Sequence, residues 1–98
     1  MKVFFAEDAE RDLFEIARWI AEDDPAIADS FAAELRRACL ELGSTYRLYP
    51  VRFLLRGNEI RRRNFKRYAI LLRVGKTGVE ILRVLHGARD IGSLLPPA

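Results

Sequence analysis

Apolar residues recur every three or four positions through the first half of the chain, and about every two positions through much of the second. The first period is that of a helix and the second that of a strand. Lys2 to Ala6 carries Val3, Phe4 and Phe5, a β-branched and aromatic run that predicts a short strand. Ala9, Leu13, Ile16, Ala17 and Ile20 follow at steps of 4, 3, 1 and 3, which paints one helical stripe. Phe14 and Trp19 flank that stripe and are expected to widen its buried face. Asp8 is the expected cap, and Asp8, Glu10 and Asp12 suit the positive end of the helix.

Asp23-Asp24-Pro25 breaks the pattern and restarts it. Asp24 is a good N-cap, and Pro25 fits the first helical position, where its missing N–H is not needed. Ile27, Phe31, Leu35, Ala38 and Leu42 then recur at steps of 4, 4, 3 and 4. That predicts a second helix running to about Leu42, with Gly43 as a left-handed terminator. A link this short makes the two helices antiparallel neighbours.

Ser44 to Asn58 reads as a loop of aromatics and basics. Three strands are predicted after it, at Glu59 to Phe65, Tyr68 to Val74 and Val79 to Leu85, with hairpin-length links. In the last of them Val79, Ile81, Arg83 and Leu85 alternate against Glu80, Leu82 and Val84. The order β-α-α-β-β-β implies an α+β fold, an antiparallel sheet with an N-terminal helical hairpin on one face. Ile70, Leu72 and Val74 point opposite to Ala69 and Leu71, yet both sets are apolar. Two helices cover only one face. The other is expected to be closed by the tail, through Ile91, Leu94 and Leu95, or by another chain.

Ninety-eight residues, half of them hydrophobic, suit one globular domain with one core. Neither a signal peptide nor a membrane span is evident, since a span needs about 20 apolar residues in a row. Cys39 is the single cysteine and sits among apolar helix positions, so it reads as a small core residue in a reducing cytoplasm. The net charge of +3 conceals an asymmetry: residues 1–45 carry 5 Lys/Arg and 11 Asp/Glu, a balance of −6, and residues 46–98 carry 12 and 3, a balance of +9. A basic half suits an anionic partner, either nucleic acid or an acidic protein segment. It is equally consistent with acidic helices attracting a basic sheet inside one fold.

The candidate chemistry is narrow. No His/Cys/Asp/Glu set has metal-ligand spacing, and no phosphate loop or serine elbow is present, so no metal or cofactor is expected. What remains is His86 with Arg61, Arg63, Arg73, Arg83 and Arg89. A histidine that moves protons and arginines that hold a phosphate suit RNA cleavage by a 2′-hydroxyl. The plainer reading makes His86 a strand-end residue bonded to backbone or to Asp90, and the arginines guards of the strand edges.

Several short segments occur in a telling order. They are Ala9 with Asp12-Leu13 and Ile16, then Asp24-Pro25-Ala26, Phe31 with Leu35, Tyr49-Pro50, Tyr68-Ala69-Ile70 and finally His86-Gly87-Ala88-Arg89-Asp90. In this order they resemble the ParE/RelE superfamily, the toxins of type II toxin–antitoxin systems. The last segment points to the ParE branch. The resemblance implies growth arrest by inhibition of DNA gyrase, and hence of replication. It also implies neutralisation by direct binding of a small ParD-like antitoxin, assembly into a higher-order toxin–antitoxin oligomer, and work in the cytoplasm without a membrane. Arg61, Arg63, Arg73, Arg83, His86 and Arg89 are then the expected contacts to target or antitoxin, with no catalytic residue. The alternative within the superfamily is a RelE-type ribosome-dependent mRNA endoribonuclease using His86, Arg61 and Arg83. Such relatives usually carry an aromatic near the C-terminus, and this chain has none after Tyr68. The usual loop glycine is also missing, since Pro50 is followed by Val51-Arg52.

Overall fold

A computed structural model describes residues 1–87 of the chain; Arg89, Asp90 and the apolar tail residues lie outside them. Strand β1 (Val3–Phe5) leads into helices α1 (Glu7–Asp23) and α2 (Pro25–Leu40). A short helix α3 (Leu42–Thr45) and a 3-10 turn at Tyr46–Leu48 follow. Strands β2 (Val51–Leu55), β3 (Asn58–Phe65), β4 (Tyr68–Val74) and β5 (Val79–His86) complete the described fold. The sheet order is β1-β5-β4-β3-β2. The architecture is the expected α+β fold with its helical hairpin on one face. The sheet is antiparallel except that β1 joins β5 in parallel.

The hairpin forms as its sequence prescribes. Asp24 Oδ1 accepts the Ile27 N–H at 3.3 Å, and Pro25 occupies the first turn of α2. α1 starts differently from the expectation. Ala6 is its N-cap, no side chain caps it, and Asp8 lies inside the first turn with Glu7 and Glu10. Ala6 is held there because its N–H donates to the Ile81 carbonyl at 2.9 Å, extending the strand pairing up to the helix. Arg36 clamps Glu10 with two bonds of 2.9 and 3.1 Å, tying α2 to α1. That guanidinium holds the Glu10 carboxyl below the usual carboxylate pKa.

The main core lies between helices and sheet. Leu13, Leu35, Ala38, Cys39 and Leu42 face Tyr68, Ile70, Leu72, Ile81 and Val84. Phe14 and Trp19 do not join it: they are 68% and 58% exposed. On a helix of about 100° per residue they stand roughly 100° and 120° from Leu13, outside the stripe that reaches the sheet. Ile27 is also exposed. Phe31 already meets Tyr68, the first residue of β4, at 5.7 Å between rings. Ile27 stands one helical turn earlier in α2.

Gly43 is not a terminator. It sits inside α3 with no positive φ, and its role is close packing. A Cβ there would lie 2.3 Å from the Met1 carbonyl oxygen, and the Met1 amino group donates to the Gly43 carbonyl at 2.7 Å. Gly43→Ala therefore forces the start of β1 off α3. The expected cost is about 1–3 kcal/mol, as for overpacking. A denaturant midpoint unchanged by the substitution would show that β1 yields freely.

Val51–Leu55 is a strand where a loop was expected. It closes a two-residue hairpin through Arg56 and Gly57, at φ 53° and 81°. Two residues with positive φ match the twist of a tight hairpin, and glycine supplies one of them without strain. β5 breaks the expected alternation. Leu71 pairs with Arg83 but Leu72 pairs with Ile81, so Leu82 is an extra residue. Ile81 and Val84, three apart, consequently both reach the main core. Ala69, Leu71 and Leu85 form a second buried apolar cluster. Ile91, Leu94 and Leu95, expected to close that face, lie outside the described residues.

Cys39 is fully buried, as its apolar neighbours suggested, and burial pushes its thiol pKa up to about 12 from 9.0. The unfolded chain loses this proton first as pH rises. The stabilisation is therefore complete below about pH 9 and is lost from there towards 12, by up to roughly tenfold in the folding constant per pH unit. Alkaline denaturation of the parent should exceed that of Cys39→Ala by this amount. Parallel curves for the two proteins would contradict it.

Candidate partner-binding surface

Asp12 organises the middle of the molecule. Its position in the stripe of Ala9, Leu13 and Ile16 turns it towards the sheet, where it is 9% exposed. Its carboxylate accepts from Arg83 Nε at 2.7 Å, from the Arg83 terminal nitrogen at 2.9 Å and from the Val84 N–H at 2.9 Å. In the sequence Asp12 stands out as a favourable charge near a helix start and as part of the Asp12-Leu13 segment, not as a buried acceptor. Its i+3 spacing from Ala9 was the signal that it faces inward.

The expected site residues divide by direction. Arg61 donates to the Tyr49 carbonyl at 2.7 Å, bracing the segment before β2. Arg63 donates to the Ala38 carbonyl at 2.7 Å and to Glu41 at 2.9 Å, bracing the end of α2. Arg83 is bound to Asp12. Arg73 pairs with Glu80 across β4 and β5, and both line a shallow pocket with Phe4, Thr77 and Gly78. His86 ends β5 with its ring edge-on to Tyr68, 5.5 Å between centroids. Its Nδ1 is buried and has no hydrogen-bond partner among the described residues. Arg89 lies outside those residues.

The strand register separates the would-be nuclease residues. His86 pairs with Tyr68, and Tyr68 with Phe65. Arg61 stands four residues from Phe65 along β3, about 13 Å away, and two strands sideways from His86, roughly 10 Å more. The side chains of Arg61 and His86 do not converge on one phosphate, and the Arg83 guanidinium is turned to Asp12. No group of His, Cys, Asp or Glu among the described residues can hold a metal ion. No helix among them is long and apolar enough to cross a membrane.

The family model of the ParE toxin of the type II toxin–antitoxin system parDE matches residues 3–91. The chain belongs to the ParE toxin family. A solved structure of the chromosomal ParDE toxin–antitoxin system from P. aeruginosa superposes with a TM-score of 0.77, covering 89% of this toxin and 96% of that chain. At 16% identity the likeness is one of fold. A search of curated proteins finds no match.

The segments that carried the resemblance have structural places in the toxin. Asp12-Leu13 supplies one buried acceptor and one core side chain. Tyr49-Pro50 leads into β2, and Tyr68-Ala69-Ile70 begins the central strand β4. The feature that sequence reading missed is β2 itself, whose Arg-Gly turn was its signal. All of its residues but Phe53 are exposed, and Arg52 and Arg56 flank its apolar stretch.

Proposed function

We propose that this ParE-family toxin arrests growth by inhibiting DNA gyrase, acting as a binding protein with no catalytic residue. On this reading it works in the cytoplasm and is neutralised by a small ParD-like antitoxin within a higher-order complex. The observation that carries the reading is the dispersal of Arg61, Arg83 and His86. Two of them are tied to the Tyr49 carbonyl and to Asp12, and the third packs against Tyr68. A ribonuclease needs a proton-transfer group and cationic clamps within reach of the same phosphate. A gyrase inhibitor needs a surface. Contact with target or antitoxin is proposed for Arg73, His86 and Arg89, whereas Arg61, Arg63 and Arg83, bound within the fold, are proposed to shape that surface. Of the four arginines described, Arg73 has the most exposed side chain, at 43%.

The test sets an in vitro gyrase supercoiling and cleavage assay beside ribosome-primed mRNA cleavage. His86→Ala sharpens it. A proton-transfer residue is worth about 10²–10⁴-fold in rate, whereas a single surface contact contributes far less. His86→Ala is expected to keep arresting growth and to leave mRNA uncut. Wild-type cleavage of ribosome-bound mRNA, abolished in a folded His86→Ala, would overturn the gyrase reading.

A further inference from the structure

The sheet has two edges. Among the described residues, one is β1, three residues long; the other is β2, five residues long, which pairs there with β3 alone. Around the two-residue turn, Leu55 pairs with Asn58, Leu54 with Glu59 and Phe53 with Ile60. In such a hairpin the residues flanking the turn exchange both backbone bonds and the next pair exchanges none. Leu55 and Phe53 therefore bond inward to β3, and the N–H and C=O of Leu54 point away from the sheet. The Leu54 side chain is 62% exposed, beside the exposed Leu55 and Val51, with Leu48 at 74% just before them. Bare apolar edges of this kind invite pairing with another strand.

Charge selects what pairs. The sequence has no carboxylate from Leu42 to Asn58 but contains Arg47, Arg52 and Arg56. Arg52 and Arg56 are exposed and have no carboxylate partner among the described residues. Glu59, at the far side of the turn, is bridged to Arg61. A second copy of the chain fits poorly. Setting the two outward Leu54 groups opposite each other places Arg52 of each copy against Arg56 of the other, a like-charge pairing that destabilises a sheet.

We infer that the outer edge of β2 receives an extended segment of the antitoxin as an added strand, and that this segment carries acidic residues where it passes Arg52 and Arg56 and apolar residues where it passes Leu54 and Leu55. The main chain of the added strand satisfies Leu54. Its acidic side chains meet Arg52 and Arg56, and its apolar ones cover Leu54 and Leu55. The inference rests on the membership of this chain in a toxin–antitoxin pair and is independent of the cellular target.

The experiment uses the full-length toxin, alone and co-purified with its antitoxin. Amide hydrogen exchange at Leu54 should slow by about tenfold or more in the complex. Leu54→Pro removes the outward N–H without touching the inward bonds of its neighbours, and Leu54→Ala keeps that N–H. The proline variant should bind antitoxin about tenfold more weakly than the alanine variant. Arg52→Glu/Arg56→Glu, at two exposed positions that leave the fold alone, covers the case in which the proline unfolds β2. It should also bind about tenfold more weakly, and parental binding should weaken with added salt. A complex that forms while exchange across β2 stays unchanged overturns the inference, as does full affinity in the doubly reversed variant. So does a free toxin whose β2 amides are already protected by self-association. None of these results bears on inhibition of gyrase, which is read with the toxin alone.

Discussion

Asp12→Ala is expected to destabilise the toxin by about 3–5 kcal/mol, the range for breaking a buried charge pair from one side. The carboxylate is nearly buried and satisfies three donors at once: two on Arg83 and the Val84 N–H. Removing it leaves that N–H without its acceptor and strips Arg83 of its two-pronged partner. The Arg83 side chain is 32% exposed, so water recovers part of the loss and the effect should fall towards the lower end. Domain stabilities of roughly 5–15 kcal/mol make even that a large share. Asp12→Asn keeps one acceptor oxygen and should lose less. The measurement is equilibrium unfolding in urea, and a loss in Asp12→Ala below about 1 kcal/mol would show that Arg83 and Val84 find other partners.

Leu35→Ala is expected to cost about 2–5 kcal/mol. Leu35 is wholly buried near the middle of α2, within the cluster that joins both helices to β4 and β5. Truncation leaves a void in the main core between helices and sheet, which cannot collapse without moving a helix against the sheet. Leu35→Met conserves volume and should stay within about 1.5 kcal/mol of the parent. If alanine and methionine are equally mild, the helix packs more loosely than its burial indicates.

The central strand and the helical hairpin were legible because their information is local. Asp24 and Pro25 encode a helix start in adjacent residues, and Leu13 and Leu35 lie on stripes whose period alone points them inward. β4 declares itself by being apolar on both faces. Other features were hidden because they depend on what meets them in space. Trp19 and Phe14 have core-like side chains but stand beyond the reach of the sheet. The extra residue at Leu82 leaves no trace in an alternating sequence, since its effect is a change of partner on β4.

The same division runs through the candidate site. The sequence alone determined the α+β class with its first strand, helical hairpin and last three strands, the basic second half, and the motifs that led to the ParE family, each written in neighbouring residues. Only the tertiary structure decided what the charged residues do. It turned Asp12, Arg61, Arg63 and Arg83 inward to join helices to sheet, and it left Arg52 and Arg56 beside an open strand edge. Gly43 likewise acquired its purpose from Met1, 42 positions away. An arginine reads the same in sequence whether it braces a core or waits for a partner. The difference is whether an acceptor lies within about 3 Å, which is a property of the fold and not of the neighbouring residues.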